Sequence, residues 1–218
     1  MIYSAEKIQS QIELLLNKYH GLRIAISTES VIRLNGKILV YRVYNDFPVY
    51  EEFSVDIEIP LGEDSIPTIF DTGKQILESY PHRYPDGKLC LATDTEIKLA
   101  FEDGYTLLDW MENFVEPYFY SYKYYLRFHT FPFGERSHGH LGTLETYQDI
   151  FCVASTAEAF KLMSYVVKVP YRGHHLCPCN SGKKIRNCHG EKLLPFYLSQ
   201  RKRTILHNDY KKISLIVG

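Results

Sequence analysis

Residues 53–59, Phe53-Ser54-Val55-Asp56-Ile57-Glu58-Ile59, alternate apolar and polar side chains without a break. Successive side chains of an extended strand point to opposite faces, so this stretch forms a strand with one face on a core and the other toward water. Such a strand needs neighbours to pair with and an apolar layer over its inner face. Residues 22–27 and 38–44 supply further strands, and residues 68–70 a short one. Pro60, which cannot donate a ladder hydrogen bond, ends the alternating strand. Ahead of them Ser4 can cap a helix whose Ile8, Ile12, Leu15 and Leu16 share one face, with Gly21 at its end.

Past Asp103-Gly104, the residues Leu107, Leu108, Met111, Phe114 and Val115 follow helical spacing beside Trp110, and Pro117 is expected to interrupt that helix. The run Pro-Tyr-Phe-Tyr-Ser-Tyr-Lys-Tyr-Tyr-Leu-Arg-Phe, residues 117–128, is of a kind that packs a helix against a sheet more often than it stacks bases. Residues 130–143 hold Pro132, Gly134, Gly139 and Gly142 and read as a loop; with His129 just before it, this stretch carries His138 and His140. A longer helix over residues 144–167 follows, with Cys152 as one of its core residues.

At 218 residues the chain can bury a sizeable core and leave material for a small second module. No stretch approaches the roughly 20 apolar residues of a membrane span, and the opening Met-Ile-Tyr-Ser-Ala-Glu-Lys is not a signal-peptide core, which predicts a cytoplasmic protein with no membrane partner. In a reducing compartment the five cysteines, at 90, 152, 177, 179 and 188, point to metal binding or catalysis in preference to disulfides. The net charge of −1 hides a split: from Tyr171 onward ten Lys/Arg face two acids, against fifteen and twenty-four in the rest. The tail is basic and the body acidic.

Cys90 lies in Tyr-Pro-His-Arg-Tyr-Pro-Asp-Gly-Lys-Leu-Cys-Leu-Ala, residues 80–92. A Pro85-Asp86-Gly87 turn fixes the thiol just beyond a tight reversal, because proline presets φ at one corner and glycine tolerates the reversed corner. Here the chain resembles the active-site signature of ubiquitin-conjugating enzymes, in which His-Pro-Asn leads through a Tyr-Pro-(Asp/Ser/Asn)-Gly turn to a thioester-forming cysteine. Tyr84-Pro85-Asp86-Gly87 and Cys90 match; Tyr80-Pro81-His82 stands where the family has His-Pro-Asn, so His82 replaces the asparagine that helps stabilise the oxyanion. The resemblance implies an α/β fold of the α+β kind: a ubiquitin-conjugating-enzyme-like antiparallel meander sheet with flanking helices. It also implies that Cys90 takes an acyl group, that His82 donates to the developing oxyanion, and that Asp94 orients or deprotonates the incoming amine. Glu135-Arg136-Ser137-His138-Gly139 is similar to the segment after the aromatic helix in bacterial relatives, which implies a place near the thiol where it could orient the incoming amine; the alternative is a solvated loop.

Cys177-Pro178-Cys179 and Cys188-His189, with Asn-Ser-Gly-Lys-Lys-Ile-Arg-Asn between them, form the most specific motif in the chain. Three thiols and an imidazole suit a closed tetrahedral site for a structural Zn2+, with no position open to substrate. His174 and His175 are competing candidates for the fourth ligand. The pattern resembles the SEC-C motif of bacterial proteins, which implies His189. The expected division is a conjugating-enzyme-like domain over residues 1–167, the zinc motif over 170–190 and a basic extension over 191–218.

By resemblance, the function is an acyl carrier and transferase. It would take the C-terminus of a ubiquitin-like protein, or the C-terminal tail of a nucleotidyltransferase in a bacterial antiphage (CBASS) system, and pass it to an acceptor lysine. No glycine-rich nucleotide loop of the usual kind is present, so ATP-dependent activation would fall to a separate activating enzyme. Two alternatives stay open: an inactive module that binds ubiquitin-like proteins, and a nucleic-acid-binding zinc protein. Nucleic acid is not the expected partner.

Overall fold

A computed structural model describes residues 5–62 and 65–217; the expected cap Ser4 lies outside them. The chain divides into two compact units, one made of Met1–Ala92 and Asp103–Glu135, the other of Thr93–Glu102 and Arg136–Gly218.

In the first unit, helix α1 (Ala5–Lys18) leads into four strands, β1 (Leu22–Ser27), β2 (Val31–Tyr44), β3 (Phe47–Pro60) and β4 (Thr68–Asp71). They form one antiparallel sheet in the order β1-β2-β3-β4, so the fold class is α+β with an open antiparallel meander. The alternating stretch behaves as its pattern requires: Phe53, Val55, Ile57 and Ile59 are fully buried, with Leu34, Ile38 and Val40 of β2 on the same face. The strands β2 and β3 are longer than composition suggests because the two-residue turn between them, Asn45-Asp46, has positive φ at both positions (48° and 58°). That geometry matches strand twist and lets the ladder run to its end.

The buried face is covered by α4 (Glu116–Phe128), the last part of a long helical stretch that begins with α3 (Leu107–Trp110) and a wide π-type turn at Met111–Val115; α1 packs against α3. Pro117 therefore does not interrupt the helix, contrary to the expectation from its position. Proline removes an amide and crowds the carbonyl four residues back; the wider turn just before α4 shifts the pairing, and Pro117 sits in the first turn of α4, where its lost amide costs little. The aromatic run packs as expected. Phe119 stacks on Phe53 at 4.3 Å, and the Tyr120 hydroxyl sits between the carbonyls of Tyr44 (2.9 Å) and Phe47 (3.0 Å).

At the start of α3 the Thr106 hydroxyl accepts from the Asp109 amide and Asp109 accepts from the Thr106 amide, a reciprocal capping box. Thr106→Ala should cost about 1 kcal/mol, read as a lower denaturant midpoint at unchanged slope. Hydrogen bonds from the Thr106 side chain, then from its backbone, hold the Asp109 carboxyl below its usual pKa. A group depressed in the folded state stabilises it above the ordinary carboxylate pKa and loses that contribution as pH falls through the lowered one, so the wild-type advantage over Thr106→Ala should shrink in acid.

In the second unit, α2 (Asp94–Glu102) joins α5 (Gly139–Phe151), α6 (Thr156–Lys168), a short 3-10 turn at Ile185–Asn187, α7 (Gly190–Leu198) and α8 (Gln200–Val217). Helix α2 is hidden in the sequence because its buried residues, Thr95, Ile97, Leu99 and Phe101, alternate as a strand's would. The helix expected over 144–167 is two helices. Cys152 takes a left-handed conformation (φ 55°) that closes α5, and Ser155 caps α6 by accepting from the Glu158 amide. Cys152 is thus an exposed cap residue and not a core residue. The loop ends at His138, and His140 and Gly142 belong to α5. In the basic extension, Leu193, Phe196, Leu206 and Ile213 join Phe151, Leu162, Met163 and Val166 in one core. No single helix among the described residues is long and apolar enough to cross a membrane.

Candidate functional site

After β4 the chain crosses back as an irregular flap held by isolated bridges, Phe70 to Lys88 and Arg83 to Leu89. The Pro85-Asp86-Gly87 turn forms as its residues dictate: the Gly87 amide donates to Tyr84 (2.9 Å), Gly87 takes φ 88°, and the Asp86 carboxylate accepts from the Lys88 amide at 3.0 Å. The reversal carries Cys90 back alongside His82, whose carbonyl accepts the Cys90 amide at 2.8 Å. Cys90 is partly exposed. A ring nitrogen of His82 lies within 4.8 Å of its sulfur, and the Tyr84 hydroxyl lies 3.5 Å from it.

His82 is tightly seated. The Tyr118 hydroxyl of α4 donates to the His82 carbonyl at 3.0 Å, so one carbonyl ties the thiol's backbone to the helix. The imidazole packs edge-on against Tyr80 (5.7 Å) and Phe131 (5.0 Å), and Glu135 Oε1 stands 3.8 Å from its Nε2. Burial holds the phenols of Tyr80 and Tyr118 protonated well above their ordinary range, so both act as neutral groups. Of the residues expected at the thiol, Cys90 and His82 are together. Asp94 belongs to the other compact unit, where it opens α2 as an exposed first-turn acid. Tyr118 carries no sequence signal that links it to position 82, and Glu135 carries only the resemblance of residues 135–139 to the segment after the aromatic helix; a helix and a loop bring them there.

The second candidate is in the other unit. One donor atom each from Cys177, Cys179, Cys188 and His189 lie within 4.8 Å of one another, an arrangement that could hold a metal ion. Cys177 and Cys188 approach His189 Nδ1 at 3.2 and 3.3 Å, and the Cys179 and Cys188 sulfurs are 3.5 Å apart as free thiols. These separations approach the edges, about 3.5–3.8 Å, of a tetrahedron built from the Zn–S and Zn–N bond lengths. Left-handed Asn180 (φ 61°) and Gly182 (φ 72°) make the knuckle, and the Cys177 amide donates to Lys183 across it at 2.8 Å.

The thiols differ in acidity. Burial, with hydrogen bonding to neighbouring thiols, pushes Cys177 up to about 11. At Cys179 burial opposes ionisation, but hydrogen bonds to the side chain and backbone of Ser181 and to the other two thiols outweigh it and bring it down to about 6. His175 is engaged elsewhere, with Nδ1 3.2 Å from the Tyr165 hydroxyl, which leaves His189 as the imidazole of the cluster.

Family models, curated proteins and solved structures give no match to this chain. Both candidates therefore stand on their own geometry and on the local motifs that produce them.

Proposed function

We propose that the chain is a ubiquitin-conjugating-enzyme-like acyl carrier and transferase with a structural zinc knuckle. Cys90 would accept the C-terminal carboxyl group of a ubiquitin-like protein, or of a nucleotidyltransferase tail, as a thioester and pass it to a lysine amine; an activating enzyme would supply the acyl group. The observation that carries this reading is the flap itself: a Tyr-Pro-Asp-Gly reversal that sets a partly exposed thiol beside an imidazole, with both backbones joined through one carbonyl. A thioester divides one difficult condensation into two easier steps. His82 would stabilise the oxyanion in the place of the family's asparagine. The α1–meander–flap–helix order supports the same reading.

The donor set of Cys177, Cys179, Cys188 and His189 suits Zn2+ bound for structure, with every position filled by protein. A cytoplasmic setting and a role in bacterial antiphage defence belong to this proposal. The test is transthioesterification: the full chain incubated with a peptide thioester ending in two glycines should gain one acyl mass on Cys90, lose it to excess thiol and pass it to a free amine. An adduct on any other residue, or none, would refute the carrier mechanism.

A further inference from the structure

As an oxyanion donor His82 would have a single task, yet its surroundings are those of a base held for a nucleophile. The side chain is only 16% exposed and its ring is bounded by Tyr80 and Phe131. Phe131 is itself stacked on Tyr125 of α4 at 4.9 Å, so the wall behind the imidazole is anchored to a helix. Four residues later, after Gly134 turns the chain with φ 79°, the same loop brings Glu135 Oε1 to 3.8 Å from Nε2. One imidazole thus has both groups within reach: the Cys90 sulfur within 4.8 Å of a ring nitrogen, and the Glu135 carboxylate 3.8 Å from Nε2.

Resting on the acyl-transfer reading, we propose that Glu135 is the positioning residue of a Cys90–His82–Glu135 relay in which His82 first activates the thiol and only then serves the oxyanion. The thiol proton passes to a ring nitrogen of His82, which leaves a thiolate beside an imidazolium whose charge the Glu135 carboxylate balances. The thiolate sulfur attacks the acyl carbon, the bond from that carbon to its leaving group breaks, and the leaving group departs with the proton held on His82. One S–C bond replaces one bond to carbon, and nothing is oxidised or reduced. Within the first unit the Tyr84 hydroxyl lies 3.5 Å from the sulfur, and burial keeps the nearby phenols of Tyr80 and Tyr118 protonated. The relay also accounts for why histidine, and not an amide, works in this position: an asparagine can donate to an oxyanion but cannot take the thiol proton.

The test measures the rate of Cys90 alkylation by iodoacetamide at neutral pH, resolved by peptide mass spectrometry on the full chain. No acyl donor is involved, so the result is independent of whether a thioester ever forms. Glu135→Gln, isosteric and uncharged, should slow alkylation about threefold, as suits a half-exposed ion pair, and Glu135→Asp should restore most of the rate. His82→Gln should slow it about tenfold by removing the group that takes the thiol proton. Matching thermal midpoints would establish that the variants are folded, and the exposed Glu135 pair carries the test if His82→Gln is not. A wild-type alkylation rate in Glu135→Gln would overturn the relay. So would unchanged alkylation in His82→Gln together with slowed acyl transfer, an outcome that keeps His82 as an oxyanion donor and leaves the carrier mechanism standing.

Discussion

Replacing Cys90 with alanine should abolish the thiol-labile acyl adduct, a loss of at least 100-fold, while leaving the thermal unfolding of the chain unchanged. The side chain is partly exposed on a flap held by backbone bonds that alanine preserves, among them the Cys90 amide to the His82 carbonyl at 2.8 Å. Loss of the sulfur removes the only group there that can form the thioester, and catalysis by the remaining groups does not substitute for an absent nucleophile. Cys90→Ser sharpens the prediction: any acyl group it accepts is an oxygen ester, stable to the excess thiol that releases the wild-type adduct. Cys152→Ser is the matched control, because that thiol is also exposed but lies in a helix cap with its sulfur 3.4 Å from the Asp149 carbonyl. If Cys90→Ala forms the labile adduct as fast as wild type while Cys152→Ser does not, the acyl acceptor has been misassigned.

Stripping metal from the protein, or changing Cys188 to serine, should unfold the second unit. Cys177 is 4% exposed and belongs to the same core cluster as Ile185, Leu193 and Phe196, so the cysteine–histidine group is part of that unit's packing and not an appendage to it. Free energies of about 10–16 kcal/mol accompany structural zinc binding in small knuckles, which is comparable to the whole stability of an ordinary domain. The purified chain should contain one zinc per molecule. A strong chelator should remove the cooperative transition that reports on Tyr147, Phe151 and Phe196, and added zinc should restore it. An intact transition with no bound metal would mean that the four side chains cluster for packing alone.

The same coupling sets what a truncation can show. Ending the chain near residue 167 would remove the cover of Leu162, Met163 and Val166, each fully buried. The shortened protein should therefore expose a large apolar surface and aggregate, so a role for the basic tail is better probed by charge reversal at exposed Lys183, Lys184 and Arg186.

Some features were determined by the sequence alone because their physics is local. The alternation at 53–59 dictates its own burial, since a period of two permits only one assignment of faces. The Pro-Asp-Gly reversal ahead of Cys90 follows from backbone preferences at three residues, and the Cys-Pro-Cys and Cys-His pairs bring their donors together through short turns. The four strands were legible for the same reason, while their meander order was an expectation from the resemblance. What the tertiary structure decided depends on which groups meet. The pattern at 95–101 is strand-like, but those side chains are buried on more than one side, and then a helix can carry an alternating pattern. Pro117 has a breaker's chemistry, and only the widened turn at Met111–Val115 lets the helix run past it. Cys152 reads as core until a left-handed residue ends the helix there. Glu135 and Tyr118 reach His82 from 53 and 36 residues away, through a loop and a helix whose courses are set by packing, and no spacing rule on the chain encodes a meeting of that kind.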